Sequence, residues 1–273
     1  MLSKRITSGI IGGVLAIAVL TFNKSFPMLI NSIISLITIL SMSEIFSVMG
    51  ISNLFCITIP TSIFVAMMPM FGYGLLWQLS WFLFTLIIFV ILILNQTLKL
   101  KDISIIYTMS ILLTLSLSKL VELRDFDKQY GSFYVLLALG TAWMSDTGAY
   151  FFGKKFGKYK LCPNVSPKKT IEGVVGGILC CILSLIFIGF LFNNFIFPEK
   201  YKINYFLLII MGLIGSPISV IGDLFFSVVK RNCHVKDFGN AIPGHGGILD
   251  RFDSLIFVAP YTYLFIKFIP IIT

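Results

Sequence analysis

Apolar runs close to the length that crosses a lipid bilayer recur from one end of the chain to the other. Judged against the ~20 residues a spanning helix needs, nine stretches stand out: 6–22, 26–49, 51–71, 74–94, 103–118, 132–152, 172–192, 204–222 and 254–272. The second and third are parted only by Met49, Gly50 and Ile51, so a reading with eight spans stays open. The fifth is short and carries serines and threonines. Charged residues make up 12% of the chain, against about 25% in soluble domains, and mean hydropathy is +0.96. A surface so poor in charge cannot face water, so its solvent must be lipid. The expected fold class is all-α, a polytopic integral membrane protein of about nine transmembrane helices. The expected organisation is 1–131 as scaffold helices and 132–273 as helices carrying the chemistry.

The net charge of +9 is not read as a nucleic-acid signal, because lysines in a membrane protein hold loops on the cytoplasmic side. With the N-terminus inside and nine spans alternating, 14 of the 21 lysines and arginines fall inside. That bias predicts an inner N-terminus and puts 153–171 and 223–253 on the cytoplasmic face. The first residues, with Lys4 and Arg5 before an apolar run, superficially resemble a signal peptide. They are read as an uncleaved first helix, because another apolar run follows at once. The five cysteines show no C-x-x-C spacing. They are read as free thiols acting as small hydrophobes, with no disulfide framework and no zinc site.

The first half carries little chemistry. Glu44 lies inside an apolar run and is a functional candidate, although a carboxyl reaching the interface from a span end is the simpler explanation. Tyr73, Trp77 and Trp81 read as an interfacial aromatic belt, and 119–131 as a solvated outer loop. The second half differs. Asp146 stands near the middle of an apolar span with Thr147, Gly148 and Tyr150 after it. A buried aspartate there needs a cation or several donors, and pairing with a lysine such as Lys154 is the plain structural alternative. In 164–173, Pro167 sets a turn, Lys168 and Lys169 are adjacent cations, and Ser166 and Thr170 bring hydroxyls to an expected helix start. Anchoring of the loop inside explains these lysines as well.

Residues 222–254 concentrate the charge. They hold Asp223, Asp237, Asp250 and Asp253, four of only 12 acidic residues. They also hold Lys230, Arg231, Lys236, Arg251 and both histidines, His234 and His245. If the preceding helix continues, Asp223, Ser227 and Lys230 or Arg231 share one face. Asp250 and Asp253 sit three apart before the last span. Between them runs Pro243-Gly244-His245-Gly246-Gly247, whose glycines let backbone approach a ligand closely. Asp223 with Asp250 or Asp253 would bring carboxylates from two helices onto a divalent ion. Oxygen-only ligands favour Mg²⁺ over zinc. His245 suits phosphate contact better than zinc, and His234 reads as a loop residue.

The run Ser227, Lys230, Arg231, Lys236, Asp237, Gly239, Pro243, Gly244, His245, Gly246, Gly247, Asp250, Arg251 and Asp253 resembles the signature of the phosphatidate cytidylyltransferases. Asp146-Thr-Gly-Ala-Tyr and Ser166-Pro-Lys-Lys-Thr-x-Glu-Gly are similar to that family's accompanying motifs. The resemblance implies transfer of a cytidylyl group from CTP to phosphatidate, giving CDP-diacylglycerol and pyrophosphate, with Mg²⁺ as cofactor, in a bacterial cytoplasmic (inner) membrane. It implies Asp223 and Asp250 as leading metal ligands, with Asp253 and Asp146 next. Lys230, Arg231, Lys236, Asp237, His245 and Arg251 are the expected catalytic groups. Ser166, Lys168, Lys169, Ser227, Gly246 and Gly247 are the expected substrate-binding ones. The partners are CTP, phosphatidate and membrane lipid, with a homodimer left open and no nucleic acid. The competing readings are a CTP-dependent polyprenol kinase and, less well supported, a transporter with acids along a polar path.

Overall fold

The computed structural model describes residues 26, 28–71, 74–95, 98–127, 129–196, 202–241 and 246–272. The expected first span, 6–22, and His245 lie outside the described residues. Eight α-helices run through the described residues: α1 Met28–Val48, α2 Phe55–Met67, α3 Leu75–Leu94, α4 Leu100–Asp125, α5 Gly131–Phe156, α6 Ile171–Phe195, α7 Tyr205–Asn232 and α8 Leu249–Phe268. Between α5 and α6 lies an antiparallel hairpin, β1 Lys160–Cys162 with β2 Ser166–Thr170. Among the described residues, five helices are long and apolar enough to cross a membrane: α1, α3, α4, α6 and α7. The chain is therefore an all-α membrane protein in class, with one small hairpin between its helices. The hairpin forms because Pro163 and Asn164 make a turn, so Lys160 pairs with Thr170 and Cys162 with Ser166.

Two compact units follow from the contacts, and they interleave along the chain. The first holds the described residues up to Val121 and returns for Cys233–Arg251; the second holds Glu122–Asn232 and Phe252–Thr273. Within the first, α2 is only 13 residues long and ends in a 3₁₀ turn, Met68–Met70, so the span expected over 51–71 is not one continuous helix. Pro69 has no N–H to offer the carbonyl of Val65. Thr38 Oγ1 of α1 donates to that carbonyl at 3.0 Å, and Ser35 Oγ donates to the Ala66 carbonyl at 2.7 Å. Polar side chains of one apolar helix thus satisfy the broken end of another, as the interior of a membrane protein requires. Trp81 packs edge-on to Phe64 with centroids 4.7 Å apart.

Helix α4 runs well past the expected 103–118 and absorbs much of the stretch read as an outer loop. Arg124 near its end is buried and pairs with Asp125 at 2.8 Å. In the second unit α5 and α6 lie along a seam of small residues. A Cβ on Gly148 would fall 2.6 Å from Cys180 Cβ and 2.8 Å from the Gly176 carbonyl, and one on Gly177 would fall 2.8 Å from the Ser145 carbonyl. Backbones this close are how helices associate in lipid, where burial of apolar surface gives no drive between them. Gly177→Leu is therefore expected to part α5 from α6 and lower the melting temperature of the purified protein by many degrees. An unchanged melting curve would refute the seam.

Helix α7 packs on α5 through hydroxyls, with Ser145 Oγ and Ser216 Oγ 2.7 Å apart. Helix α8 ties to α7 through Tyr261, whose hydroxyl donates to the Met211 carbonyl at 3.0 Å. Gly222 of α7 lies so near α8 that a Cβ there would come within 2.9 Å of the Asp253 carbonyl. These contacts set the spacing of the acidic residues described next.

Candidate active site

In the second unit, three helices and the hairpin each deliver charge to one region. Asp146 comes from α5, where Ser219 Oγ of α7 donates to its Oδ1 at 3.3 Å. Asp223 sits one turn further along α7, and Ser227 Oγ donates to its Oδ1 at 3.2 Å. That bond realises the expected i, i+4 face. Asp253 of α8 is buried at 7% exposure, and its Oδ1 accepts the Ser254 N–H at 2.7 Å. The carboxylates of Asp146, Asp223 and Asp253 lie within electrostatic reach of one another. Ser254 Oγ is buried beside Asp146.

Two cations answer this negative charge. Lys230, buried on α7, faces Asp253. Lys169 reaches in from β2: its Nζ is 2.7 Å from Asp223 Oδ2 and donates to the Val220 carbonyl at 3.3 Å. The strand alternation decides which of the adjacent lysines does this. Neighbouring residues on a strand point to opposite sides, so Lys169 turns inward while Lys168 stays exposed. Sequence reading as a turn entering a helix could not separate them. Thr170 ends the strand and caps α6, its Oγ1 accepting the Gly173 N–H at 3.1 Å.

A cavity of about 440 Å³ opens beside these groups. Asp146 and Asp223 line it, together with Lys154, Lys160, Lys168, Lys169, Ser166 and Tyr150. Four lysines against two aspartates leave a net positive lining suited to a multiply charged anion, and the volume is that of a small-molecule site. Among the described residues, no three His, Cys, Asp or Glu side chains are drawn together closely enough to hold a metal ion unaided. The acidic cluster is nonetheless built of oxygen donors only, the set that suits Mg²⁺.

The remaining signature residues belong to the first unit, apart from Arg231, which is exposed near the end of α7. Beyond that end, the chain turns at His234, whose φ of +57° is the left-handed conformation that stops helices. Lys236 and Asp237 follow, both exposed. Gly246 has φ +81°, a value side chains adopt only under strain. Asp250 is buried at the start of α8. Its Oδ2 accepts the Phe238 N–H at 2.9 Å and the Gly247 N–H at 3.0 Å, so it closes the loop from both sides. Arg251 is exposed next to it.

The sequence model of the cytidylyltransferase family matches residues 3–269. The chain belongs to the cytidylyltransferase family. It is similar to phosphatidate cytidylyltransferase of Bacillus subtilis (strain 168), 37% identical over 186 residues, which is 68% of this chain and 66% of that protein. It is similar too to the protein of the same name from Staphylococcus haemolyticus (strain JCSC1435), 45% identical over 130 residues, 48% of this chain and 47% of the relative. The Staphylococcus saprophyticus relative, also so named, is 46% identical over 134 residues, again 48% and 47%. The matched stretches span less than two thirds of these relatives' own length.

In this cytidylyltransferase family member, several site residues had no clear signal in the sequence. Lys160 read only as positive charge on the cytoplasmic side and Lys154 as that or as a structural partner of Asp146, yet both line the cavity. Ser219 read as part of an apolar run, yet it donates to Asp146. Glu44 read most simply as a carboxyl at an interface. It is instead buried at 8% exposure, with Oε1 accepting the Ile248 N–H at 2.7 Å and Oε2 accepting the Leu249 N–H at 2.9 Å. A partner some 200 residues away leaves no trace in local spacing.

Proposed function

We propose that this protein transfers the cytidylyl group of CTP to phosphatidate, giving CDP-diacylglycerol and pyrophosphate. The observation that carries the reading is the lysine-lined cavity against Asp146 and Asp223, the latter on a helix long and apolar enough to span a bilayer. The names of the bacterial relatives agree with it. A phosphatidate oxygen attacks the α-phosphorus of CTP, the bond from that phosphorus to the bridging oxygen breaks, and pyrophosphate leaves with the bond's electrons. The nucleophile is already an anion, so no strong protein base is needed. Catalysis is then alignment and charge neutralisation.

Lys154, Lys160 and Lys168 supply positive charge along the cavity and would hold phosphate oxygens by charge-assisted hydrogen bonds. Lys169, fixed by Asp223 and the Val220 carbonyl, would present a cation whose position does not depend on substrate. Asp146, Asp223 and Asp253 would hold Mg²⁺, their all-oxygen set fitting that ion. Bound there, Mg²⁺ would neutralise charge on the phosphates. Lys230 would offset part of the negative charge around Asp253.

The same reading puts nine spans in the membrane, the N-terminus and the cavity on the cytoplasmic side, and the protein in a bacterial inner membrane. The lysine and arginine bias supports it. A cysteine introduced at Lys158 or Asn240 is expected to resist a membrane-impermeant reagent added outside intact cells. Labelling at either would overturn the orientation. The reaction is tested with purified protein, phosphatidate, Mg²⁺ and CTP labelled in turn at its α- and γ-phosphorus. Label from the α position alone should enter the lipid phase. Entry of γ label would instead support a lipid kinase.

A further inference from the structure

We propose that Glu44 is a positioning residue, which holds the glycine loop and the first turn of α8 and through them the Asp250 carboxylate. The first N–H groups of a helix have no partner within it and favour a negative charge beside them. Here three consecutive amides are taken by carboxylates. Gly247 donates to Asp250 Oδ2 at 3.0 Å, while Ile248 and Leu249 donate to the two oxygens of Glu44 at 2.7 and 2.9 Å. Asp250 Oδ2 also accepts the Phe238 N–H at 2.9 Å. The two carboxylates therefore clamp successive amides of one short segment, one from α1 and one from within the segment itself.

Glycine is what lets Glu44 enter. A Cβ on Gly239 would lie 2.8 Å from Glu44 Oε1, and a Cβ on Gly247 would collide with the Glu44 carboxylate. Two glycines of the loop thus flank one side chain. At Gly247 the missing side chain is accounted for by Glu44 itself, without a ligand. Glu44 is buried and uses both its oxygens on backbone. Any effect on turnover passes through Asp250, which the family resemblance puts among the metal ligands. Its role in turnover rests on the proposed reaction; its grip on the loop does not.

Glu44→Gln keeps the shape but offers one acceptor oxygen in place of two, so one of the two amides loses its partner. The purified variant should fold with wild-type helicity and lose turnover by roughly 10- to 100-fold, the scale of a small misplacement of reacting groups. The Michaelis constants for CTP and phosphatidate should stay within about twofold, because the cavity is untouched. Hydrogen exchange should quicken over 246–252 and hold its wild-type pattern elsewhere. Wild-type turnover, unchanged exchange at 246–252, or exchange quickened throughout the chain would each overturn the proposal, the last by reducing Glu44 to a general stabiliser. A paired variant supplies an independent check. Glu44→Asp withdraws the carboxylate by one methylene and makes room for a Cβ, so Glu44→Asp with Gly247→Ala should be more active than Gly247→Ala alone. Equal or lower activity of the pair would count against it. The exchange measurement needs no substrate, so failure of the proposed reaction and failure of this proposal are read separately.

Discussion

Asp223→Asn is expected to lower turnover at least about a thousandfold, roughly 4 kcal/mol of transition-state stabilisation, while the protein still inserts and folds. The amide is nearly isosteric with the carboxylate but loses three things at once. It is a poor ligand for Mg²⁺. It cannot pair with Lys169, whose Nζ lies 2.7 Å from Asp223 Oδ2. It removes one of three carboxylates that lie within electrostatic reach of one another, leaving Lys169 and Lys230 to face Asp146 and Asp253. The measurement is lipid-phase label from CTP at saturating substrates, repeated across a wide Mg²⁺ range. Retention of more than about a tenth of wild-type turnover at saturating Mg²⁺ would reject a direct metal role for Asp223, because loss of a metal ligand should cost several kcal/mol.

Lys169→Ala and Lys168→Ala are expected to part company, although the two lysines are neighbours in the chain. Lys169 is 20% exposed and Asp223, its partner, 28%. Removing it leaves a largely enclosed carboxylate uncompensated, an expensive state, and frees the Val220 carbonyl it also binds. A fall in kcat/KM of roughly 100-fold or more is expected, expressed mainly in kcat. Lys168 is exposed at the cavity wall. Its loss removes one charge-assisted contact weakened by solvent, and a fall of about 3- to 10-fold is expected, expressed mainly in one Michaelis constant. Lys169→Arg should recover little, since a planar fork does not fit a point charge set between one carboxylate and one carbonyl. Equal effects of the two alanine variants would refute the inward turn of Lys169.

Asp223, Ser227 and Lys230 show how far spacing carries. Their i, i+4, i+7 interval puts them on one helical face, and the Ser227–Asp223 bond is there. The reason is that a long apolar segment in lipid has little choice but to be a helix, since each backbone polar group must be satisfied within it. For the same reason, eight of the nine expected spans fall on described helices, five of which are long and apolar enough to cross a membrane. Where the backbone leaves that regime, local reading fails. Proline at 69 lies at the break in one expected span, and the carbonyls at that broken end are satisfied by Thr38 and Ser35 of another helix. The hairpin at 160–170 lies among charged residues outside the long apolar helices, where turn chemistry rather than hydropathy decides the backbone.

The sequence by itself determined the membrane-helical class, because composition fixes the solvent, and it determined the membership of the charged segments, because a long specific motif cannot arise from packing needs alone. It did not determine which charges meet. Lys169 rather than Lys168 reaches Asp223 because a strand alternates sides, a fact of pairing with β1. Asp146 and Asp253 approach Asp223 because small residues on α5, α6 and α7 let backbones close to within reach. Glu44 finds Ile248 and Leu249 across some two hundred residues because two glycines leave it room. Each of these is a distance set by packing between elements, and hydropathy and spacing along one element contain no term for it.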